Sequence, residues 1–171
     1  DEIWCQLFSE PGAGSDLASL RTVATPVEGG WMLNGQKVWT SYAQFADWGF
    51  CLARTDPDAP KRNQGISFLV VDMHAPGIEV RPLVQLTGEA EFNEVFFDDV
   101  FVPEDQLVGP EHDGWRVANS TLSHERGTNP RQLVIHGQLI EELLRLAMEN
   151  GTYDDPHVRQ GLAQAISEVR I

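Results

Sequence analysis

Cysteine is scarce. Cys5 and Cys51 are the only two in 171 residues. Two cannot build a disulfide framework, so a reducing compartment is the expectation: cytoplasm, or the mitochondrial matrix in a eukaryote. Long apolar runs are missing as well. No stretch approaches the ~20 residues of a membrane-spanning helix. The chain opens on Asp1-Glu2 with no apolar run behind it, so no secretory leader is read there. The five histidines are scattered without metal-ligand spacing, and no metal site is expected. No Gly-x-Gly-x-x-Gly fingerprint occurs, which removes support for a doubly wound dinucleotide fold. Positive charge is the last scarcity: 12 Lys and Arg stand against 26 Asp and Glu, a net charge of -14. Residues 1–114 carry -13 of it and residues 115–171 carry -1. Such a surface repels polyanions, so nucleic acid is excluded as a partner. Solubility is the ordinary reason for acidity of this kind. An anionic small-molecule ligand would need a local exception to the average field.

What is present falls into two textures. Residues up to about 105 read as short β-prone runs separated by turn residues, the pattern of an antiparallel barrel or sandwich. The runs are Ile3–Phe8, Leu20–Val27, Trp31–Leu33, Trp48–Arg54, Ile66–Met73, Ile78–Val80, Val95–Phe97 and Val100–Val102. Glu28-Gly29-Gly30 and Asp56–Pro60 are read as turns. Asn34-Gly35 lies between β-prone runs and reads as a hairpin. After Pro103 the period becomes helical. Trp115, Ala118, Leu122 and Glu125 fall on one face. A second helix is expected from about Arg131 to Asn150, with Leu133, Ile140, Leu143, Leu144 and Ala147 inward and Asn150-Gly151 as its stop. Asp155-Pro156 is an N-cap and first-turn proline opening a third helix. That helix meets no stop signal before Ile171, and the chain reads as part of a longer protein. The expected division is a β domain at 1–111 and a helical domain at 112–171.

Three groups of residues carry chemistry. Ser9-Glu10-Pro11-Gly12-Ala13-Gly14-Ser15-Asp16 runs from a strand end into a Pro-Gly turn rich in hydroxyls. Its glycines allow positive φ or close approach of a ligand, although an ordinary capped surface turn is the plainer reading of Gly-x-Gly alone. Gly35-Gln36-Lys37-Val38-Trp39-Thr40-Ser41 delivers an indole and two hydroxyls. Glu125 is a carboxylate on an otherwise apolar helical stripe. Desolvation there raises a carboxyl pKa toward the range of a general base. The alternative is a rim position where the stripe frays before Gly127. Arg126 suits phosphate or carboxylate recognition, or a surface ion pair.

These strings, in this order, resemble the acyl-CoA dehydrogenase family. Asn34–Trp39, Leu52-Ala53-Arg54-Thr55-Asp56, Pro76-Gly77-Ile78, Glu94–Val100 with Val102-Pro103, and Glu125-Arg126 extend the resemblance over nearly the whole chain. It implies an α+β architecture: the family's middle antiparallel β-barrel followed by the first helices of an α-helical bundle. It implies FAD as cofactor and α,β-dehydrogenation of an acyl-CoA thioester. Position by position, it implies flavin contacts from Gln6, Phe8, Ser9, Trp39, Thr40 and Ser41. It implies coenzyme A contacts from Ser15, Ser123 and Arg126, and Glu125 as the base. An electron-transfer flavoprotein or similar acceptor, and a homo-oligomeric state, are the implied partners. A flavin oxidase of the same fold and a non-catalytic assembly subunit are the competing readings. Tyr42 departs from the Asn often seen at its position in the family.

Overall fold

The computed structural model describes residues 1–125 and 130–170. They form two compact units, Asp1–Thr121 and Leu122–Ile171. The first unit holds a seven-stranded sheet. Its strands are β1 (Trp4–Leu7), β2 (Val23–Val27), β3 (Gly30–Ser41), β4 (Trp48–Arg54), β5 (Ile66–Asp72), β6 (Ile78–Leu83) and β7 (Phe92–Pro103). The helices are α1 (Gly114–Glu125), α2 (Pro130–Glu149) and α3 (Pro156–Arg170). The division between the units falls inside α1. Among the described residues no helix is long and apolar enough to cross a membrane.

The strand order is β1-β4-β2-β3-β7-β6, with β5 also pairing β4. The main ladders β2–β3, β3–β7, β6–β7 and β4–β5 are antiparallel, as a meandering barrel requires. β1 is the exception and runs parallel to β4, from Trp4 opposite Trp48 to Leu7 opposite Cys51. β5 fills one edge of β4 along its length, so β1 and the first residue of β2 share the other edge. The segment between β1 and β2 must therefore leave the sheet and return, and it carries the Pro-Gly turn.

Alternation builds the core. Leu7, Leu33, Cys51, Ala53, Leu69, Val71, Val95, Phe97, Val100 and Val102 all face one buried cluster. The opposite side of β1, β4 and β5 carries a second, aromatic cluster. Phe50 and Phe68 stack at 5.9 Å, and Phe8 meets both edge-on at 5.8 and 6.0 Å. α1 starts hard against β5. A Cβ on Gly114 would lie 2.4 Å from the Ser67 carbonyl carbon, so only glycine fits. The His112 N–H donates to Ser67 Oγ at 2.9 Å just before it.

Some sequence expectations need correction. Asn34-Gly35 is not a hairpin, because β3 runs straight through it. The hairpin is the Glu28-Gly29 turn, where Val27 pairs Gly30 and Gly29 takes φ 79°. Asn34-Gly35 instead forms a bulge at a register slip between Leu33 and Gly35. The Asn34 amide donates to Asp99 Oδ1 and its carbonyl accepts from the Asp99 N–H, both at 2.9 Å. Gly35 sits at φ 150° with Thr22 so close that no Cβ could enter. The same pairing lets β7 continue unbroken through Asp98-Asp99. β2 starts only at Val23, after a short helical turn at Leu17–Ser19.

In the second unit, Gly137, Ile140, Glu141 and Leu144 of α2 face Ile166 and Val169 of α3. Leu133 and Leu143, expected inward, are 48% and 47% exposed. α2 ends as read: Gly151 takes φ 69°, and the Thr152 N–H returns to the Ala147 carbonyl at 2.9 Å. Asp155 Oδ1 accepts the His157 and Val158 N–H groups at 2.8 and 3.3 Å, an N-cap for α3.

Candidate active site

Ser9 lies just past β1 and leads into the turn Glu10–Ala13. Two backbone hydrogen bonds of 2.8 and 3.0 Å between Glu10 and Ala13 close this turn, with Pro11-Gly12 at its tip. Neither Gly12 nor Gly14 adopts positive φ. A Cβ on either would meet nothing within 4 Å. Both glycines therefore border open space, which fits the close-approach reading and removes the conformational one.

The Ser9 carbonyl accepts the Val38 N–H at 2.9 Å. This bond sets the end of β1 beside the Trp39 segment of β3. There the β3–β7 register slips between Lys37 and Thr40. Trp39 takes φ 62° and Tyr42 φ 55°, left-handed conformations that cost bulky residues on the order of 1–3 kcal/mol each. The slip turns Trp39 outward. The residue is 61% exposed, and its indole meets Phe92 edge-on at 6.1 Å. Ser41 is exposed on the same face, while Val38 and Thr40 point inward between them.

A buried ion pair holds both segments, and the sequence reading missed it. Lys37 is 0% exposed, yet all three of its ammonium donors are used. They reach Glu10 Oε1 at 2.8 Å, the Leu52 carbonyl at 2.8 Å and the Phe8 carbonyl at 3.1 Å. Glu10 also accepts the Arg21 and Thr22 N–H groups at 2.6 and 2.9 Å. Burial pushes the Glu10 carboxyl up. The Lys37 charge and hydrogen bond, with those from Thr22 and Arg21, outweigh it and hold the carboxyl below its ordinary value. The pair ties β1, β3, β4 and the start of β2 together. It stands one residue after Ser9 and two before Trp39.

The implied site residues are distributed as follows. Gln6 and Ser9 are half-buried and Trp39 and Ser41 are exposed. Phe8 is spent on its aromatic cluster, so only its main chain can reach a ligand on the far side of β1. Thr40 is 1% exposed with Oγ1 unpartnered among the described residues, so its side chain belongs to the sheet interior. Ser15 is exposed beyond the turn. Ser123 is exposed near the C-terminal end of α1, in the second unit. Glu125 is the last residue of α1, and its side chain and all of Arg126 lie outside the described residues. Ahead of it on the stripe, Ala118 is buried and Trp115 and Leu122 are half-buried.

Residues 5–100 match the family model for the acyl-CoA dehydrogenase middle domain. The chain belongs to the acyl-CoA dehydrogenase family. It is 60% identical over 144 residues to "Acyl-CoA dehydrogenase FadE34" of Mycobacterium tuberculosis, a match covering 84% of this chain and 20% of that protein. It is 48% identical over 170 residues to "Acyl-CoA dehydrogenase IpdE1" of the same organism, covering 99% of this chain and 44% of that one. The solved structure of the "Tcur3481-Tcur3483 steroid ACAD" superimposes with a TM-score of 0.87 at 32% identity, covering 99% of this chain and 44% of that chain. The chain thus spans less than half the length of the acyl-CoA dehydrogenases it resembles. The family implies FAD, and the donors present suit a flavin. An exposed indole offers a flat apolar face, and the Ser9 and Ser41 hydroxyls and the Gln6 amide offer polar contacts for a ring edge.

Proposed function

We propose that this chain supplies the flavin face and the base of an FAD-dependent acyl-CoA dehydrogenase acting on the α,β-bond of an acyl-CoA thioester. The observation that carries the reading is the Ser9–Val38 backbone bond at the Trp39 register slip. It sets the end of β1 beside the exposed Trp39 and Ser41, near glycines where a ligand meets no protein atom.

FAD, when bound, accepts the β-hydrogen with its electron pair. The Ser9 and Ser41 hydroxyls orient the ring edge, and Trp39 covers a ring face and keeps water from it. Glu125, as a carboxylate, takes the α-proton. The electron pair of the broken Cα–H bond becomes the new Cα–Cβ π bond, and the pair of the Cβ–H bond leaves with the β-hydrogen. Ser15, Ser123 and Arg126 are assigned to contacts with the coenzyme A part of the substrate. An electron-transfer flavoprotein or a similar acceptor removes the electrons, and the intact protein is a homo-oligomer.

The test is anaerobic mixing of the flavin-loaded enzyme with acyl-CoA. Loss of a general base commonly slows chemistry ~100- to 10,000-fold. Glu125→Gln is expected to keep flavin and to bind acyl-CoA but to bleach at least 100-fold more slowly, by the same principle. Bleaching at the wild-type rate places the base elsewhere.

A further inference from the structure

The Trp39–Ser41 stretch is held from β7 by one buried side chain. From Lys37 opposite Val95 to Thr40 opposite Asn93, β3 advances three residues where β7 advances two. The extra residue makes a bulge, and a bulge leaves backbone groups outside the ladder. Asn93 is 0% exposed and lies directly across from Thr40. Its Nδ2 donates to the Thr40 carbonyl at 3.0 Å, to Gln44 Oε1 at 2.5 Å and to the Glu91 carbonyl at 3.3 Å. Two of these acceptors are backbone carbonyls, which only the amide's NH2 end can satisfy, so the amide has one orientation. In that orientation Asn93 Oδ1 is buried without a partner among the described residues. The placement serves the donor end of the side chain.

Two further bonds tie the same stretch to the residues leading into β7. The Tyr42 N–H donates to the Glu91 carbonyl at 2.8 Å, and the Gln44 side-chain amide donates to the Ala90 carbonyl at 3.0 Å. Trp39 and Tyr42 both sit in left-handed conformations, with Thr40 and Ser41 between them. Such conformations persist only where the surroundings over-determine them. Asn93 grips the one carbonyl that belongs to the peptide unit joining Thr40 to Ser41. That unit is planar, so a fixed Thr40 carbonyl also fixes the Ser41 N–H and the direction in which Ser41 leaves the sheet.

We propose that Asn93 is a positioning residue for the flavin: by holding the Thr40 carbonyl it aims the Ser41 hydroxyl at the ring edge, and so sets the reduction potential of the bound ring. The inference rests on the reading of Trp39 and Ser41 as the flavin face. Asn93 is fully buried and acts only through Ser41. A hydroxyl donor held at the ring edge favours the electron-richer, reduced ring, as fixed donors favour charge wherever it develops. A Ser41 released from its plane loses that preference, and the potential falls.

Asn93→Leu keeps the approximate volume and removes the amide. In the intact flavin-loaded enzyme, below its unfolding midpoint, the flavin potential is expected to fall by ~30 mV or more, the two-electron equivalent of a tenfold loss of preference for the reduced ring. Flavin reduction by acyl-CoA is expected to slow about tenfold with KM unchanged, as for an interaction that matters in the chemical step alone. Ser41→Ala is expected to lower the potential at least as far, and the double variant no further than Ser41→Ala, because the two residues act in series. In the flavin-free protein, amide exchange over residues 39–45 is expected to quicken about tenfold while β4 and β5 keep their protection. Gln44→Met, at a half-buried position, removes one acceptor of Asn93 and should lower the potential in the same direction by less; it decides the matter where Asn93→Leu does not fold. A wild-type potential in the Asn93 and Gln44 variants while Ser41→Ala shifts it overturns this inference alone, even if stability falls. So does a double variant whose shift is the sum of the two. A wild-type potential in Ser41→Ala removes the flavin-face reading and the inference with it.

Discussion

Lys37→Met removes the ammonium but keeps the stem. The Glu10 carboxylate then loses its counter-charge while remaining buried, and the Phe8 and Leu52 carbonyls lose their donor. Removing one partner of a buried ion pair costs about 3–5 kcal/mol. For a unit of 121 residues, at roughly 4 °C per kcal/mol, the midpoint should fall by about 12–20 °C. The assay is urea and thermal unfolding followed by tryptophan fluorescence. The double variant Glu10→Gln, Lys37→Met should be less destabilised than the sum of the two single changes, because the groups act as a pair. The pH dependence has a definite sign. The folded Glu10 carboxyl is held below its ordinary value of 4.5, so its contribution is fully present above that value and is lost as pH falls through the lower folded value. Lys37→Met should flatten this acid-side loss. Since the pair brackets Ser9 and Trp39, flavin retention should fall with stability. A variant within ~1 kcal/mol of wild type, an ordinary surface effect, would refute the reasoning.

Burial raises the Cys5 thiol to about 12 and the Cys51 thiol to about 11, so a thiol reagent at neutral pH should modify neither until the protein is unfolded. Reaction of the folded protein would contradict this placement. Tyr42→Asn puts a residue tolerant of left-handed backbone at φ 55°, and should leave stability unchanged or raised by about 0.5–1 kcal/mol in chemical denaturation despite loss of the Tyr42–Glu91 bond. Asp155→Ala removes the α3 cap and should cost about 0.5–2 kcal/mol in the second unit, read from helical circular dichroism on heating.

Local chemistry was the legible part of the sequence. The α3 cap at Asp155, the α2 stop at Gly151 and the switch from strands to helices after Pro103 each depend on a few adjacent residues, and each is present. Features set by distant pairing were not legible. Asn34-Gly35 has the composition of a hairpin turn, but Asp99 of β7 captures Asn34 and converts the pair into a bulge. Bulges also shift which residues face inward. Lys37 therefore gave no sign of burial, and Thr40 could not be told from its outward neighbours Trp39 and Ser41. β1 parallel to β4 was hidden because it needs the return path through the Ser9–Leu20 segment. On α2, Leu133 and Leu143 lie on the helical period but stay exposed, while Gly137, Ile140 and Leu144 face α3. The candidate flavin-face residues rest on family resemblance alone, and the Lys37–Glu10 ion pair beside them gave no sign in the sequence.

The most direct measurement is a crystal structure of the intact protein with FAD and a non-reacting acyl-CoA analogue. The account predicts the flavin ring against Trp39, with the Ser9 and Ser41 hydroxyls within hydrogen-bond reach of its edge and the Glu125 carboxylate facing the analogue's α-carbon. A ring bound away from the Ser9–Trp39–Ser41 surface, or a different carboxylate at the α-carbon, would contradict it.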